Sequence, residues 1–377
     1  MSPLPLEATP KISFAHIATR TLERLWPAVH GEACPTEVRS LLATMLARWG
    51  SRPVPEVATW PSDIGSDHSP FEFSLALTSS GPELRFLVEA QGNGSAFSSV
   101  RQAGLELNAS LAKRGADLRR FEQLRDLFLP EVTHARFGLW HAATLTTGKV
   151  RAKAYLNPQI RGQDQAVALV KSGFERLKMP AAWTTVERAL RQGERQGEEI
   201  RYFAIDLQEC AMARAKVYLY PKDASAENLE KIAALRPEYV SGEVTDFCDA
   251  IAGDCGPYGS WPPCVYLAFT GDNSTPSDVT VQIPIAHYVR DDRVARDRIL
   301  SYLRQRGLDW RAYERAVGAA TTRQLAEGRG LHTYVSLRTG SKAPRVTVYF
   351  AAELYAVHEP ATSAKRLRSV QRADGAE

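Results

Sequence analysis

Five times along the chain, two runs of β-branched and aromatic residues are joined by a turn rich in Gly, Pro, Ser, Thr or Asp, the pattern of a β-hairpin. The runs are PFEFSLAL–TSSGPE–LRFLVEA near residues 70–90, FGLWHAATL–TTG–KVRAKAYL near 137–156 and IRYFAIDL–QECAM–ARAKVYLY near 200–220. CVYLAFTG–DNSTPSD–VTVQIPI near 264–285 and HTYVSLR–TGSKAP–RVTVYFA near 332–351 complete the set. Their turns recur about every 65 residues, an internal period carried by pattern rather than by matching sequence. Between hairpins the apolar residues fall three or four apart, as at Leu118, Phe121, Leu124 and Phe128 or at Val167, Val170, Phe174 and Leu177, which predicts helices. Each such stretch has room for two helices, broken by a Pro or Gly such as Pro180, Pro237 or Gly307. Ahead of the first hairpin one helix is expected near 12–28 and a second after Pro35. The chain spells helix–helix–strand–strand five times.

Ten antiparallel strands leave two exposed edges unless the sheet closes on itself. The expected fold is therefore α/β: a ten-stranded antiparallel β-barrel ringed by helices, in five ααββ repeats. Residues 1–360 read as one domain and 361–377 as a polar, disordered tail. The strands are two-faced. Ala152, Ala154 and Leu156 oppose Lys153 and Tyr155; Ala215, Val217 and Leu219 oppose Arg214, Lys216 and Tyr218. Val279, Val281 and Ile283 oppose Thr280 and Gln282; Val346, Val348 and Phe350 oppose Arg345, Thr347 and Tyr349. If helices cover the greasy face, the cationic and phenolic face lines the barrel. Clustered buried cations repel one another and lose hydration, so such a lumen implies a polyanionic ligand. The alternative is that these charges simply face water.

Composition narrows the class. The 377 residues are 44% hydrophobic and 24% charged, with a net charge of +4, which excludes disordered and coiled-coil chains and argues against a nucleic-acid tail. No run approaches the roughly 20 apolar residues of a membrane span, and MSPLPLEATPK lacks the form of a signal peptide. A cytoplasmic protein is expected. Five cysteines, an odd number without metal-ligand spacing, read as free thiols.

Arg and Lys neutralise a pyrophosphate, and Arg grips two oxygens at once. Aromatic faces attract cations. A pocket with both suits an allylic diphosphate whose C–O bond breaks into an anion and a shielded allyl cation. The motifs KAY (Lys153, Tyr155) and RAKVY (Arg214, Lys216, Tyr218), with SPFEFSLAL and RVTVYF, resemble the indole prenyltransferases of the dimethylallyltryptophan synthase family from about residue 10 to 357, the bacterial members more than the fungal. The resemblance implies the ααββ (ABBA) prenyltransferase barrel and an aromatic prenyltransferase of secondary metabolism, acting on dimethylallyl diphosphate and L-tryptophan or a related indole. It implies no required cofactor, with Mg²⁺ or Ca²⁺ dispensable, and neither nucleic acid nor membrane as partner. Among ring positions it favours C6.

Carried over by motif, Glu72 would accept the indole N–H, and Ile64 and Gly65 would offer backbone amides to the acceptor. Arg85, Lys153, Arg214 and Lys216 would bind diphosphate, while Tyr155, Tyr218 and Tyr349 shield the cation. Gln282 and Arg345 depart from the family pattern and are expected to join the phosphate contacts. Counting back across the Thr146–Gly148 turn sets Lys153 opposite His141 or Ala142. Read as lumen-facing, His141 is a candidate catalytic base. No metal ligand set is expected: RDDRVARD (Asp291, Asp292, Asp297) has the wrong spacing for a magnesium motif and reads as a solvated helix start. Two other readings stay open. One is prenylation, by dimethylallyl or geranyl, of a tryptophan-containing dipeptide or another indole. The other is a non-catalytic barrel that binds an acidic or phosphorylated small molecule. Oligomeric state leaves no mark on the sequence.

Overall fold

Each alternating run folds as two antiparallel strands, and each helical stretch precedes its hairpin. The computed structural model describes residues 12–361 except 132–134, 147–148, 192–198, 209, 223, 260 and 341–343. MSPLPLEATPK and residues 362–377 of the expected disordered tail lie outside these described residues, as does part of the Thr146–Gly148 turn. The first repeat is α1 (Phe14–His30), α2 (Thr36–Leu46), β1 (Phe71–Thr78) and β2 (Gly81–Glu89). The second is α3 (Phe97–Ala112), two single turns α4 (Arg119–Glu122) and α5 (Arg125–Phe128), then β3 (Leu139–Thr146) and β4 (Lys149–Leu156). The third is α6 (Ala166–Arg176), α7 (Pro180–Arg191), β5 (Glu199–Asp206) and β6 (Arg214–Tyr220). The fourth is α8 (Ala226–Ala233), α9 (Glu243–Ala252), β7 (Cys264–Thr270) and β8 (Asp278–Ile283). The last is α10 (Asp292–Gln305), α11 (Trp310–Ala320), β9 (His332–Arg338) and β10 (Arg345–Ala351).

Neighbouring strands pair in sequence order, and β10 returns to β1 to close a ten-stranded barrel. The closing register runs from Glu72 opposite Ala351 to Leu77 opposite Val346. The helical ring closes too: α1 packs on α11, and Arg315 Nε donates to the Ala28 carbonyl at 2.7 Å. The first hairpin turns tightly because Gly81 holds φ +113°, a conformation other residues avoid. Gly104 lets α3 approach β3, since a Cβ there would sit 3.0 Å from that of Leu139.

The greasy strand faces point outward. Ala152, Ala154, Leu156, Ala215, Val217, Leu219, Val279, Val281, Ile283, Val346, Val348 and Phe350 are each at most 2% exposed and join one core between barrel and helices. Each such Val, Leu, Ile or Phe contributes about 1.5–3 kcal/mol by leaving water. Local capping fixes the helix starts: Ser13 accepts from His16 N, Ser225 from Asn228 N and Asp309 from Ala312 N.

Three local expectations are corrected. The Leu118–Phe128 stretch is two short turns rather than one helix, although Phe121, Leu124 and Phe128 are fully buried. Val167 is exposed while Val170 and Phe174 are buried. Asp291 and Asp292 do begin a helix, but neither is solvated. Asp291 caps α10 by accepting from Val294 N, and Asp297 pairs with Arg296. Asp292 accepts from Leu331 N, from His332 N and Nδ1 at 3.0 Å, and from Arg323. The other ring nitrogen of His332 meets the Tyr313 hydroxyl at 2.9 Å. Asp292 thereby ties α10 to β9 and α11, and its hydrogen-bond partners hold its carboxyl down at about 2 despite burial. Its stabilising contribution is present above the usual carboxylate range and is lost as pH falls through about 2. Asp292→Ala leaves the buried His332 imidazole and the Leu331 and His332 amides without their acceptor, while Arg323 keeps Glu353, and is expected to cost about 3–5 kcal/mol in urea unfolding at pH 7.

Candidate active site

Alternation along closed strands sends one side chain in two into the lumen. One end of the barrel carries the hairpin turns; the other is a mouth covered by the loop at 60–70. Near the turn end, Arg85 (β2), Lys153 (β4), Arg214 and Lys216 (β6), Arg338 (β9) and Arg345 (β10) face three carboxylates, Glu83, Asp206 and Asp278. Arg214 reaches Asp206 at 2.8 Å and Asp278 at 3.6 Å, and Arg338 reaches Asp278 at 3.3 Å. Arg85 and Arg345 share Glu83 at 2.6 and 3.2 Å. Lys153 lies opposite Asp206 in the β4–β5 register. With all ionised, positive charge exceeds negative in this cluster.

Burial, then the neighbouring Arg85 and Arg214, lowers the Lys153 ammonium to about 8. Burial, then Lys153 and Arg214, pushes Lys216 well below the usual lysine range. Both lysines are short of negative charge. The Nε–H of Arg338 is buried without a hydrogen-bond partner among the described residues.

Towards the mouth the wall becomes phenolic. Tyr155 and Tyr218 stand 6.0 Å apart by ring centroid, Tyr218 and Tyr266 4.7 Å, and Tyr202 and Tyr218 5.8 Å. Tyr334 and Tyr349 meet edge to face at 6.3 Å. The Lys216 ammonium lies 4.8 Å from the centroid of Tyr266. Burial raises these phenols, Tyr155 to about 12, so they stay neutral beside cations.

Nearer the mouth, Glu72 on β1 is buried and accepts from Thr333 Oγ1 at 3.3 Å. Burial raises its carboxyl to about 8, and the Thr333 bond opposes this only in part. Arg201, at an irregularity in β5, stacks 4.3 Å from the Tyr220 centroid and pairs with Glu199 at 2.9 Å. Its Nε–H too is buried without a partner among the described residues.

The structure thus brings Glu72, Arg85, Lys153, Arg214, Lys216, Tyr155, Tyr218 and Tyr349 to one lumen. Arg345 is there as well, sharing Glu83 with Arg85. Gln282 sits in the tyrosine wall, where its Oε1 accepts the Cys264 thiol at 3.7 Å; Thr280 is the β8 residue opposite Arg338. Ile64 lies in the mouth loop, but its N–H already donates to Ser62 Oγ at 3.3 Å, and the Gly65 carbonyl accepts from His68 N.

His141 is corrected. Ala142 is the residue opposite Lys153, so His141, opposite Ala154, points outward. Its Nε2–H donates to Asn108 Oδ1 on α3 at 2.8 Å, and burial pushes the imidazole down to about 3. It packs helix to barrel and does not face the reaction chamber.

Sequence reasoning did not single out Tyr202, Tyr266, Tyr334, Arg338, Arg201 or the three counter-carboxylates. The same two-residue alternation in IRYFAID, CVYLAFT and HTYVSLR marks the tyrosines and Arg338. Among the described residues no group of three or more His, Cys, Asp or Glu is placed to hold a metal ion, all five cysteines are free, and no helix is long and apolar enough to cross a membrane.

A family model described as tryptophan dimethylallyltransferase matches residues 39–318. The chain belongs to the tryptophan dimethylallyltransferase family. The 6-dimethylallyltryptophan synthase of Micromonospora olivasterospora, solved in complex with DMASPP and Trp, is 32% identical, with a TM-score of 0.85 over 92% of this chain and 99% of that one. The 5-dimethylallyltryptophan synthase of Streptomyces coelicolor is 28% identical, with a TM-score of 0.82 over 93% of this chain and 100% of that one. AnaPT of Neosartorya fischeri, at 16% identity and a TM-score of 0.71 over 93% and 94%, shares the barrel fold. This member of the family is therefore a prenyltransferase.

A polyanion among these cations favours charged Lys153, so above pH 8 its binding has to draw in a proton. Pyrophosphate affinity is expected to fall as pH rises above about 8, by up to about tenfold per unit for the proton that Lys153 must take up. Calorimetry at pH 8.5 in buffers of different ionisation enthalpy should register the proton uptake.

Proposed function

We propose that this enzyme transfers the dimethylallyl group of dimethylallyl diphosphate to C6 of the indole of L-tryptophan, without a metal ion. The observation that carries the reading is the order of groups along one lumen: a cation cluster, a belt of neutral tyrosines, then a buried carboxylate. Arg85, Lys153, Arg214, Lys216 and Arg338 would hold the diphosphate as the C1–O bond breaks, stabilising charge where it develops. Tyr155, Tyr218, Tyr266 and Tyr349 would present ring faces to the allyl cation and keep water away. Glu72, as carboxylate, would accept the indole N–H, orient the ring and enrich it in electron density. A ring carbon then bonds to C1 of the allyl cation, and the proton at that carbon leaves to restore aromaticity. The departing pyrophosphate, beside the carbon that has just been alkylated, would be the acceptor for it. Arg201, with an unused N–H at the mouth, suits the acceptor's carboxylate.

Relatives support the substrates. PriB was solved in ternary complex with L-tryptophan and dimethylallyl thiolodiphosphate and is 29% identical to this chain. C6 is favoured because the Micromonospora 6-synthase and a second 6-dimethylallyl tryptophan synthase, 32% and 31% identical, resemble the chain slightly more than the 5-synthase at 28%.

Incubation with L-tryptophan and dimethylallyl diphosphate in EDTA is expected to give a product heavier by one C5H8 unit, and NMR should place the substituent at C6. Complete loss of turnover in EDTA would overturn metal independence. Product from a tryptophan dipeptide or geranyl diphosphate alone would reassign the substrates.

Glu72→Gln is expected to lower kcat about 10²-fold while leaving pyrophosphate binding intact. Because the carboxylate form is required and Glu72 titrates near 8, wild-type affinity for L-tryptophan should rise as pH rises through about 8. In the Gln variant that dependence should vanish.

A further inference from the structure

Glu89, the last residue of β2, shares the lumen parity of Arg85 and Leu87 but takes no part in the chemistry above. Its side chain is fully buried, and both carboxylate oxygens are engaged. Ser62 Oγ donates to Oε2 at 2.6 Å, and the Gly138 N–H points to Oε1 at 3.4 Å. Ser62 Oγ in turn accepts the Ile64 N–H. One carboxylate thus bonds to two separate segments, the mouth loop and the entry to β3.

Those segments carry Ile64, Phe137 and Trp140, which form one cluster with Leu87, Tyr155 and Tyr202 packed against it. Phe137 and Trp140 lie 4.4 Å apart by centroid, and Trp140 and Tyr202 5.1 Å. Leu87 is the residue directly opposite Glu72. The cluster therefore walls the acceptor end of the lumen beside the carboxylate that would hold the indole. A neutral polar group would anchor a loop at far lower desolvation cost than a carboxylate; burial raises Glu89 to about 7, and its ionised form tightens both bonds.

We propose that Glu89 is a positioning residue: by holding Ile64 and Trp140 in fixed relation it sets the plane of the indole, and with it the ring carbon that meets the allyl cation. This rests on the indole-prenylation reading above. Rotation of a flat acceptor about its anchored N–H exchanges one benzo-ring carbon for another, so a small loosening of these walls alters the product before it alters the rate.

The test is Glu89→Gln, whose amide keeps the shape but turns an NH₂ group towards one of the two donors. With L-tryptophan and dimethylallyl diphosphate, KM for tryptophan should rise about tenfold, kcat and KM for the donor should stay within about threefold, and a second regioisomer should exceed about a tenth of the product by NMR. Glu89→Asp, which keeps the charge, should recover most of the product purity. If Glu89→Gln does not fold, Ser62→Ala cuts only the link to Ile64 and should shift KM and product ratio the same way. A single unshifted product with unchanged tryptophan KM overturns the proposal, as does a parallel fall in kcat and affinity for both substrates. If the unmutated enzyme alkylates no indole, the functional reading fails and this one with it, an outcome visible before any variant is made.

Discussion

Because β10 hydrogen-bonds back to β1, no strand of the barrel has a free edge, and half of every strand's side chains must point into a closed tube. Everything else in the molecule answers that constraint. The outward half is uniformly apolar and is covered by helices, so barrel and ring share one core. The inward half is free to be polar only because the outward half supplies the stability that buried charges take away. Even the connectors conform: Gly104 and the Asp292 network set how closely helices approach the outer wall, and so how rigidly the inner groups are held.

Inside the tube, the arginines are spaced by carboxylates. Arg85 and Arg345 divide one Glu83; Arg214 and Arg338 meet at Asp278. These pairs fix guanidinium directions without cancelling the positive field, and the two lysines between them are left under-compensated. The same burial acts in the opposite sense on the phenols, which are raised and stay neutral. A tyrosine beside Arg or Lys in water would lean towards phenolate; here it stays an uncharged ring. Burial thus favours the neutral form of both groups: it loosens the protons of the two lysines and keeps the phenolic wall uncharged.

Much of this was legible in the sequence, since hairpins and a period of two survive where sequence identity between repeats does not. The ten strands follow from alternation, the closure from the cost of free edges, and the lumen side of Lys153, Tyr155, Arg214, Lys216, Tyr218 and Tyr349 from helices covering the opposite face. His141 shows the limit of that reasoning. Its turn left two registers open, and one residue of slip moves a side chain through the sheet. Arg345 was legible as a lumen cation, but its pairing with Glu83 depends on β10 meeting β1 and β2 across the closed sheet. Asp291 and Asp292 look solvated in a run of arginines, and only His332 and Arg323, far along the chain, bury the second of them. The period of two sets Glu89 on the lumen face, but its anchoring role is hidden because its partners Ser62 and Gly138 lie in irregular segments.

The contact between Lys216 and Tyr266 has a further consequence. A ring face that already carries a positive charge at 4.8 Å is electrostatically tuned for one. The barrel sets the Lys216 amine against the same phenolic wall that the proposed reaction would turn towards a carbocation, as a mould holds the shape of the casting before the metal is poured. Little rearrangement of dipoles is then left for the moment of bond breaking.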